Sequence, residues 1–423
     1  MARRRAASGD APVCHVVGAG LAGLAAACRL ASAGMRVRLY EAAPQAGGRC
    51  RSLPDQRFGT AIDNGAHVLM TGNRAALSFL RGIGAPSTAL APLDALEFRD
   101  LGDGSAWRIR PAGESAAWML GRGLSIPGVP RGRLLWEGLR LLSARAGSRA
   151  GERLSPGGLA WRRLWRPFLK TVFNAEAAEV SAPHAAAVLK RLLSEGAASG
   201  RVLLAARPWS EIAAEPAVAC LRRAGAEIAF GSPLLALERG EGRARRLIFR
   251  NRAVDAGRDP VILAVPNAAA RRLCPDLVPA LPHAPILNLH FETPEDLGLG
   301  FRCPVGGLVD AVFWRGPVVS VTIGGATGDG DAEALAAAAW AEAAAVLPRP
   351  PSLTPPPWRR IVEKRATVAA TPEAFALRPG TATPEANLFL AGDWTATGLP
   401  STIEGAVVSG RTAAEAALAA GTQ

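Results

Sequence analysis

The sequence predicts an α/β protein in which a parallel-sheet domain is assembled from discontinuous segments and an α+β domain is inserted into it. Three observations carry that expectation. A strand–turn–helix–strand pattern stands near the N-terminus, a strand–loop–helix pattern closes the chain, and long stretches of different character lie between them. At 423 residues the chain is too long for one compact core and suits two intertwined domains.

Val13–Val17 reads as a short buried strand. Residues 21–33 follow as a helix stopped by Gly34, a usual residue just past a helix end. Arg36–Tyr40 alternates polar and apolar as a second strand that ends at Glu41. From about residue 76 to 204, long Leu/Arg/Trp segments recur at helical spacing. Residues 227–230, 234–238, 247–250 and 261–265 read as strands, and 332–347 as an alanine-rich helix ahead of a Pro-rich break at 348–357. Residues 388–391 form a last strand, and Pro400-Ser-Thr-Ile-Glu404 opens the final helix. Ser401 and Glu404 stand at capping-box spacing, each able to satisfy a free N–H of the first turn. No internal repeat is visible. The division that results assigns 1–75, 205–275 and 361–423 to the sheet domain, and 76–204 with 276–360 to the inserted one.

Composition narrows the function classes. Hydrophobic residues make up 49% and charged residues 20%, which is globular and neither disordered nor collagen-like. A formal charge of +13 favours nucleic acid, anionic lipid or phosphorylated partners, although an Ala/Arg-rich composition produces the same excess. Six cysteines without a CxxC pair argue against zinc and against a disulfide framework, and point to a reducing cytoplasm. The first five residues are basic, but Ser8, Gly9, Asp10 and Pro12 stand where a signal peptide needs an apolar stretch. No apolar run reaches the roughly 18 residues of a membrane span. The expected location is the cytoplasm, in solution or on a membrane surface.

The chemistry starts at Gly18-Ala-Gly20-Leu21-Ala22-Gly23, a GxGxxG pattern that follows a strand and opens a helix. Gly18 permits the tight turn, Gly20 lets the backbone approach a pyrophosphate, and Gly23 allows close helix–strand packing. The helix N-terminus supplies partial positive charge. Glu41, 18 residues past Gly23, can accept both hydroxyls of an adenosine ribose and would repel a 2′-phosphate. Alone the glycine pattern is weak, and this context makes it a Rossmann-type dinucleotide site. Beyond Ala42, Gly47-Gly48-Arg49 lies at the edge of the same crevice and separates FAD from NAD: two glycines allow contact, and Arg49 can donate a forked pair to the diphosphate. At the far end, Gly392-Asp393 follows a strand, with Asp393 placed for the ribityl or phosphate part. The helix start at Thr402, Ile403 and Ala406 can face the flavin pyrimidine, where its dipole stabilises the negative charge of reduced flavin. The bland alternatives are a solvated Arg49 on a surface turn and an ordinary helix cap.

With Gly405 and Gly410, these residues resemble the amine oxidase/phytoene desaturase superfamily. The resemblance implies a middle strand that touches the adenine through its backbone, here Ser232-Pro233-Leu234 leading to residues 261–266. Closer matches are Asp63-Asn64-Gly65-Ala66-His67, Trp165-Arg-Pro-Phe168 with Asn174, and residues 392–400. Together they resemble the squalene-associated FAD-dependent desaturase family, the hydroxysqualene dehydroxylases. That family usually has DNGQH where this chain has Asp63-Asn-Gly-Ala-His67, and often Leu-Asn where it has Phe173-Asn174.

The resemblance implies reduction of hydroxysqualene to squalene, with hydride from reduced FAD delivered to an allylic cation as the hydroxyl departs. Gly65, Ala66 and His67 then lie by the flavin, and His67 is the candidate for assisting the hydroxyl, or else only anchors its loop. Asp63 reads as a loop organiser rather than an acid. No metal-ligand cluster or Ser/His/Asp order stands out. Between Val129 and Lys170, ten Arg/Lys face two Glu, with Trp136, Trp161 and Trp165 among Leu135, Leu139 and Leu142. Such a stretch can lie on the inner face of an anionic membrane and admit a water-insoluble isoprenoid, or it is an ordinary amphipathic helix with solvated arginines. The competing functions are a carotenoid-type desaturase or isomerase, an amine oxidase, which the single Tyr40 disfavours, and a non-catalytic prenyl-binding chaperone like the Rab GDP-dissociation inhibitors. No nucleic-acid-binding motif accompanies the basic charge.

Overall fold

The computed structural model describes residues 13–111, 124–194, 196–349 and 352–421; the basic first five residues lie outside these. β1, Val13–Val17, is buried throughout, as its nearly unbroken apolar run requires. Parallel pairing places it between β2, Arg36–Tyr40, and Val261–Leu263. Glu227–Ala229 extends the sheet beyond β2, and Leu388–Leu390 extends it beyond Val261–Leu263. All five strands run the same way, so Gly18, Glu41 and Gly392 gather at one edge, beyond the carboxyl ends of the strands, where such sheets bind ligands.

α1, Leu21–Ser32, packs on this sheet and ends before Gly34, whose φ of +86° is the left-handed turn expected there. Against α1 lies the C-terminal helix, Ile403–Ala420. Their approach is backbone to backbone: a Cβ on Gly410 would stand 2.0 Å from the carbonyl oxygen of Ala22. The two ends of the chain therefore share one core, with Leu24, Ala27 and Leu30 facing Val407, Ala414 and Ala417.

A second, seven-stranded sheet takes the order 358–368, 283–292, 318–324, 311–315, 299–305, 96–100, 106–109. Its His283–Glu292 strand turns Leu287, Leu289 and Phe291 toward the alanine-rich helix Ala332–Ala344. One expected boundary shifts here. Residues 361–368, assigned from sequence to the sheet domain, belong to the Trp358–Val368 strand, which pairs along the inserted domain's sheet. Its run of Arg359, Arg360, Glu363, Lys364 and Arg365 suits an edge strand, where charge blunts further pairing, and hides the apolar alternation. Within 76–204, between the helices, Leu96–Asp100 and Ala106–Ile109 are strands of the same sheet, in keeping with an α+β inserted domain.

The helix Arg131–Leu142 buries Leu134, Gly138 and Leu141 and leaves Trp136 48% and Leu139 67% exposed. Trp161 and Trp165, which the membrane reading groups with Trp136, are buried in the core that joins these helices to the sheet, as the alternative of a packed helix has it. The Trp165 indole N–H donates to Glu137 at 2.6 Å, which turns that carboxylate inward.

The Gly410 contact is with backbone, so no neighbouring side chain can move aside for a methyl group. Gly410→Ala is expected to cost about 1–3 kcal/mol and to lower the thermal midpoint by several degrees. A calorimetric midpoint equal to that of the parent protein would show that the helix pair separates freely.

Candidate functional site

The glycine-rich turn forms because Gly18, at φ +104°, lies against the backbone of Ala264; a Cβ there would sit 2.5 Å from the Ala264 oxygen. A Cβ on Gly23 would stand 1.8 Å from Gly18 O, so α1 starts directly on the turn. Gly20, the N-cap of α1, has only Gly48 Cα at 4.0 Å from where its Cβ would be. The first turn of α1 carries no side-chain cap and no acidic residue, which leaves its positive end suited to phosphate. Gly47 N–H donates to Ala19 O at 2.8 Å, zipping the second glycine pair onto the first.

Glu41 stands at the end of β2, as expected. Its carboxylate accepts from Ala19 N–H at 2.6 Å and Ala43 N–H at 2.8 Å, which uses two of its four or so acceptor positions. The 231–234 segment is held to the same loop by Ser232 N–H donating to Glu41 O at 2.8 Å, and this brings Leu234, the start of its strand, to the site.

At this edge the expected cofactor residues Arg49 and Asp393 meet each other. Arg49, expected to fork onto a diphosphate, gives one guanidinium nitrogen to the Asp393 carboxylate and another to the Ala366 carbonyl. The left-handed residues Gly47 (φ +112°) and Gly48 (φ +57°) turn the chain so that Arg49 reaches the far half of the site. Asp393, expected to face the cofactor, is buried with its carboxylate on Arg49. The proposed capping box does not form. Thr402 is the N-cap of the C-terminal helix, accepting from Gly405 N–H at 3.1 Å, while Ser401 Oγ accepts from Val368 N–H at 3.2 Å. The helix starts one residue later than the box requires, which frees Glu404 to turn away. Buried, Glu404 accepts from the N–H groups of Ala75 (3.2 Å) and Ala76 (2.8 Å) in the first turn of the helix Arg74–Gly82 and from Arg191 at 3.2 Å.

The Asp63–His67 loop lies against this edge. Asp63 is the organiser: it accepts from Ser52 Oγ (2.6 Å), Trp209 N–H (2.8 Å) and Arg315 (3.0 Å). Asn288 of the seven-stranded sheet donates to Asn64 O at 3.3 Å and also lies 3.3 Å from where a Gly65 Cβ would be, which ties the two domains together at the loop. His67 Nε2 faces the Arg49 carbonyl at 3.4 Å, and its ring meets Trp209 edge-on at 6.1 Å. Burial holds the His67 pKa below the ordinary value although Asp63 pulls the other way, so the imidazole is neutral at pH 7.

Arg378 had no signal in the sequence beyond being one more arginine. It is buried beneath the 393–401 loop and donates to the carbonyls of Leu399 (2.9 Å) and Asp393 (3.3 Å). Among the described residues no group of His, Cys, Asp or Glu is arranged to hold a metal ion.

This geometry, a dinucleotide turn facing a loop and helix from the far end of the chain, defines a flavoprotein oxidoreductase of the two-domain kind. The chain matches the flavin-containing amine oxidoreductase family over residues 21–418 and belongs to it; its cofactor is FAD. It is similar to the hydroxysqualene dehydroxylase of Rhodopseudomonas palustris, 40% identical over 96% of this chain and 98% of that protein. It is also similar to the hydroxysqualene dehydroxylase of Sinorhizobium fredii, 38% identical over the same shares. In fold it resembles an oxidoreductase from Methanosarcina mazei, with a TM-score of 0.72 at 18% identity, over 95% of this chain and all of that one.

All five histidines are held below the ordinary pKa, chiefly by burial, with His184 and His290 pushed down to about 4. An unfolded histidine takes up its proton near pH 6.5, while these do so only at lower pH. Between those limits the unfolded state binds more protons, so stability is full above about pH 6.5 and falls as the solution is acidified. The thermal midpoint should drop steadily from pH 7 to pH 5, and His290→Gln should flatten that slope. A midpoint independent of pH across this range would contradict it.

Proposed function

We propose that this chain reduces hydroxysqualene to squalene. The reading rests on identity with hydroxysqualene dehydroxylases over nearly the whole of both chains. It is supported by both halves of the cofactor edge being present together. Bound FAD in its reduced form supplies the hydride that replaces the hydroxyl. In balance, the allylic C–O bond breaks, a C–H bond forms, and the departing hydroxide takes a proton to leave as water.

The residues take these roles in the proposal. Gly18, Gly20 and the α1 N-terminus hold the diphosphate, Glu41 the adenosine ribose, and the backbone at Leu234 the adenine. Arg49 and Asp393, locked to each other, shape the crevice at the junction of the domains. His67, neutral, assists the hydroxyl by hydrogen bonding rather than as a cationic acid. The cofactor unit carries the five-stranded sheet, and the substrate unit carries the seven-stranded one.

The substrate is insoluble in water, and the proposal has it enter from the inner face of an anionic membrane along the Arg131–Leu142 helix. Trp136, Leu139 and Leu142 form an outward apolar stripe, opposite the stripe that packs inward. Arg133 and Arg140 flank the Trp136 ring, 5.2 and 4.7 Å from its centre, while Glu137 is turned into the core. An apolar stripe rimmed by arginines suits an anionic headgroup layer. No helix among the described residues is long and apolar enough to cross a membrane.

Two measurements test this reading. Anaerobically reduced protein mixed with hydroxysqualene should show flavin reoxidation matched by squalene formation. Flavin that stays reduced in folded, loaded protein would replace the proposal with a carotenoid-type desaturation, run from oxidised flavin. Separately, the protein should float with vesicles containing phosphatidylglycerol and less with neutral ones, and Trp136→Ser/Leu139→Ser should cut the bound fraction at least fivefold. Equal flotation of parent and double variant would remove the membrane face.

A further inference from the structure

Arg378 is 6% exposed, yet its charge is poorly compensated. Its Nη atoms donate to two backbone carbonyls and, at 3.4 Å, to Ser401 Oγ, while its buried Nε meets no acceptor among the described residues. The guanidinium lies 4.2 Å over the Phe375 ring, which in turn stacks on His184 at 3.4 Å. A buried guanidinium calls for a counter-charge, since burial without one costs several kcal/mol. The acid at hand is Asp393, and its carboxylate already holds Arg49. Arg49 also faces Glu363, whereas among the described residues Arg378 has no acid but the Asp393 that Arg49 already holds. His184 and His283 add no charge, because burial keeps both neutral. The C-terminal helix brings a further positive end to the same corner, through its first turn after Thr402. Burial lowers the Arg378 pKa to about 10, with Asp393 opposing, so the side chain stays charged at neutral pH.

This corner therefore holds a guanidinium with no carboxylate bonded to it among the described residues, shielded from water, beside the loop and helix start that close the flavin end of the site. The Phe375 stack and the two carbonyls hold the guanidinium in one place. We propose that Arg378 tunes the redox potential of the flavin: its fixed charge stabilises the negative charge that FAD gains on reduction, and so makes the reduced form easier to reach. Arg378 acts through space from behind residues 393–401 and takes no part in bond making. Its positive charge, rather than its hydrogen bonds alone, sets the effect.

The test compares FAD-loaded parent, Arg378→Gln and Arg378→Lys by dye-equilibrated midpoint potential and by FAD dissociation constant. The Gln variant should shift the oxidised/reduced equilibrium at least tenfold toward oxidised flavin, about 30 mV for a two-electron couple. The Lys variant should recover most of that shift, and FAD affinity should change less than the potential. Equal potentials with weaker FAD binding in both variants would overturn the proposal and leave Arg378 a fastener of the loop. Should the variants not fold, the unmodified protein decides. Its reduced flavin should lose the N1 proton, followed by absorbance, at a lower pH than free reduced FAD measured alongside; a value equal or higher sinks the idea. No isoprenoid substrate enters these measurements, so they stand whatever reaction the protein performs.

Discussion

The ion pair of Arg49 with Asp393 is the contact on which the site depends. Arg49 belongs to the first fifty residues and Asp393 to the last thirty-one, and the same guanidinium takes the Ala366 carbonyl of the seven-stranded sheet. One side chain thus joins the loop beside the glycine-rich turn, the closing loop and the seven-stranded sheet. Arginine suits the task because its planar fork serves a carboxylate and a carbonyl at once, which a lysine cannot do with the same geometry. A partly buried pair of this kind adds little net stability, because desolvation offsets the attraction. Its effect is to select a single arrangement of three segments.

The same economy explains much of the basic charge. Arg163 is buried and donates to Asp100, Asp103 and the Pro127 carbonyl; Arg149 bridges Glu179 and Glu373; Lys170 pairs with Asp310 at 2.8 Å. Several cations of the 129–170 stretch therefore serve as internal fasteners. What remains at the surface around Trp136 is a narrower basic rim than the raw excess of arginine implies.

The cofactor edge was legible in the sequence because its logic is local. A strand, three glycines and a helix specify their own geometry, and the Val13–Val17 and Arg36–Tyr40 strands form where the pattern places them. Partners far apart in sequence were not legible. Nothing near Arg49 announces that it will meet Asp393, and nothing near Glu404 announces that it will cap the Arg74–Gly82 helix instead of its own. The charged Trp358–Val368 strand and the buried Arg378 escaped for a related reason. Local composition reads them as surface, and only the tertiary setting gives Arg378 its carbonyls and the strand its partner.

The contact of Ala22 with Gly410 has a consequence for synthesis. A ribosome finishes α1 and the glycine-rich turn long before it makes the helix that covers them. Until then the alanine-rich back of α1 lacks the partner that covers it. Burial of that face is thereby deferred until the Ile403–Ala420 helix is made, and apolar surface left unpaired in the meantime favours aggregation.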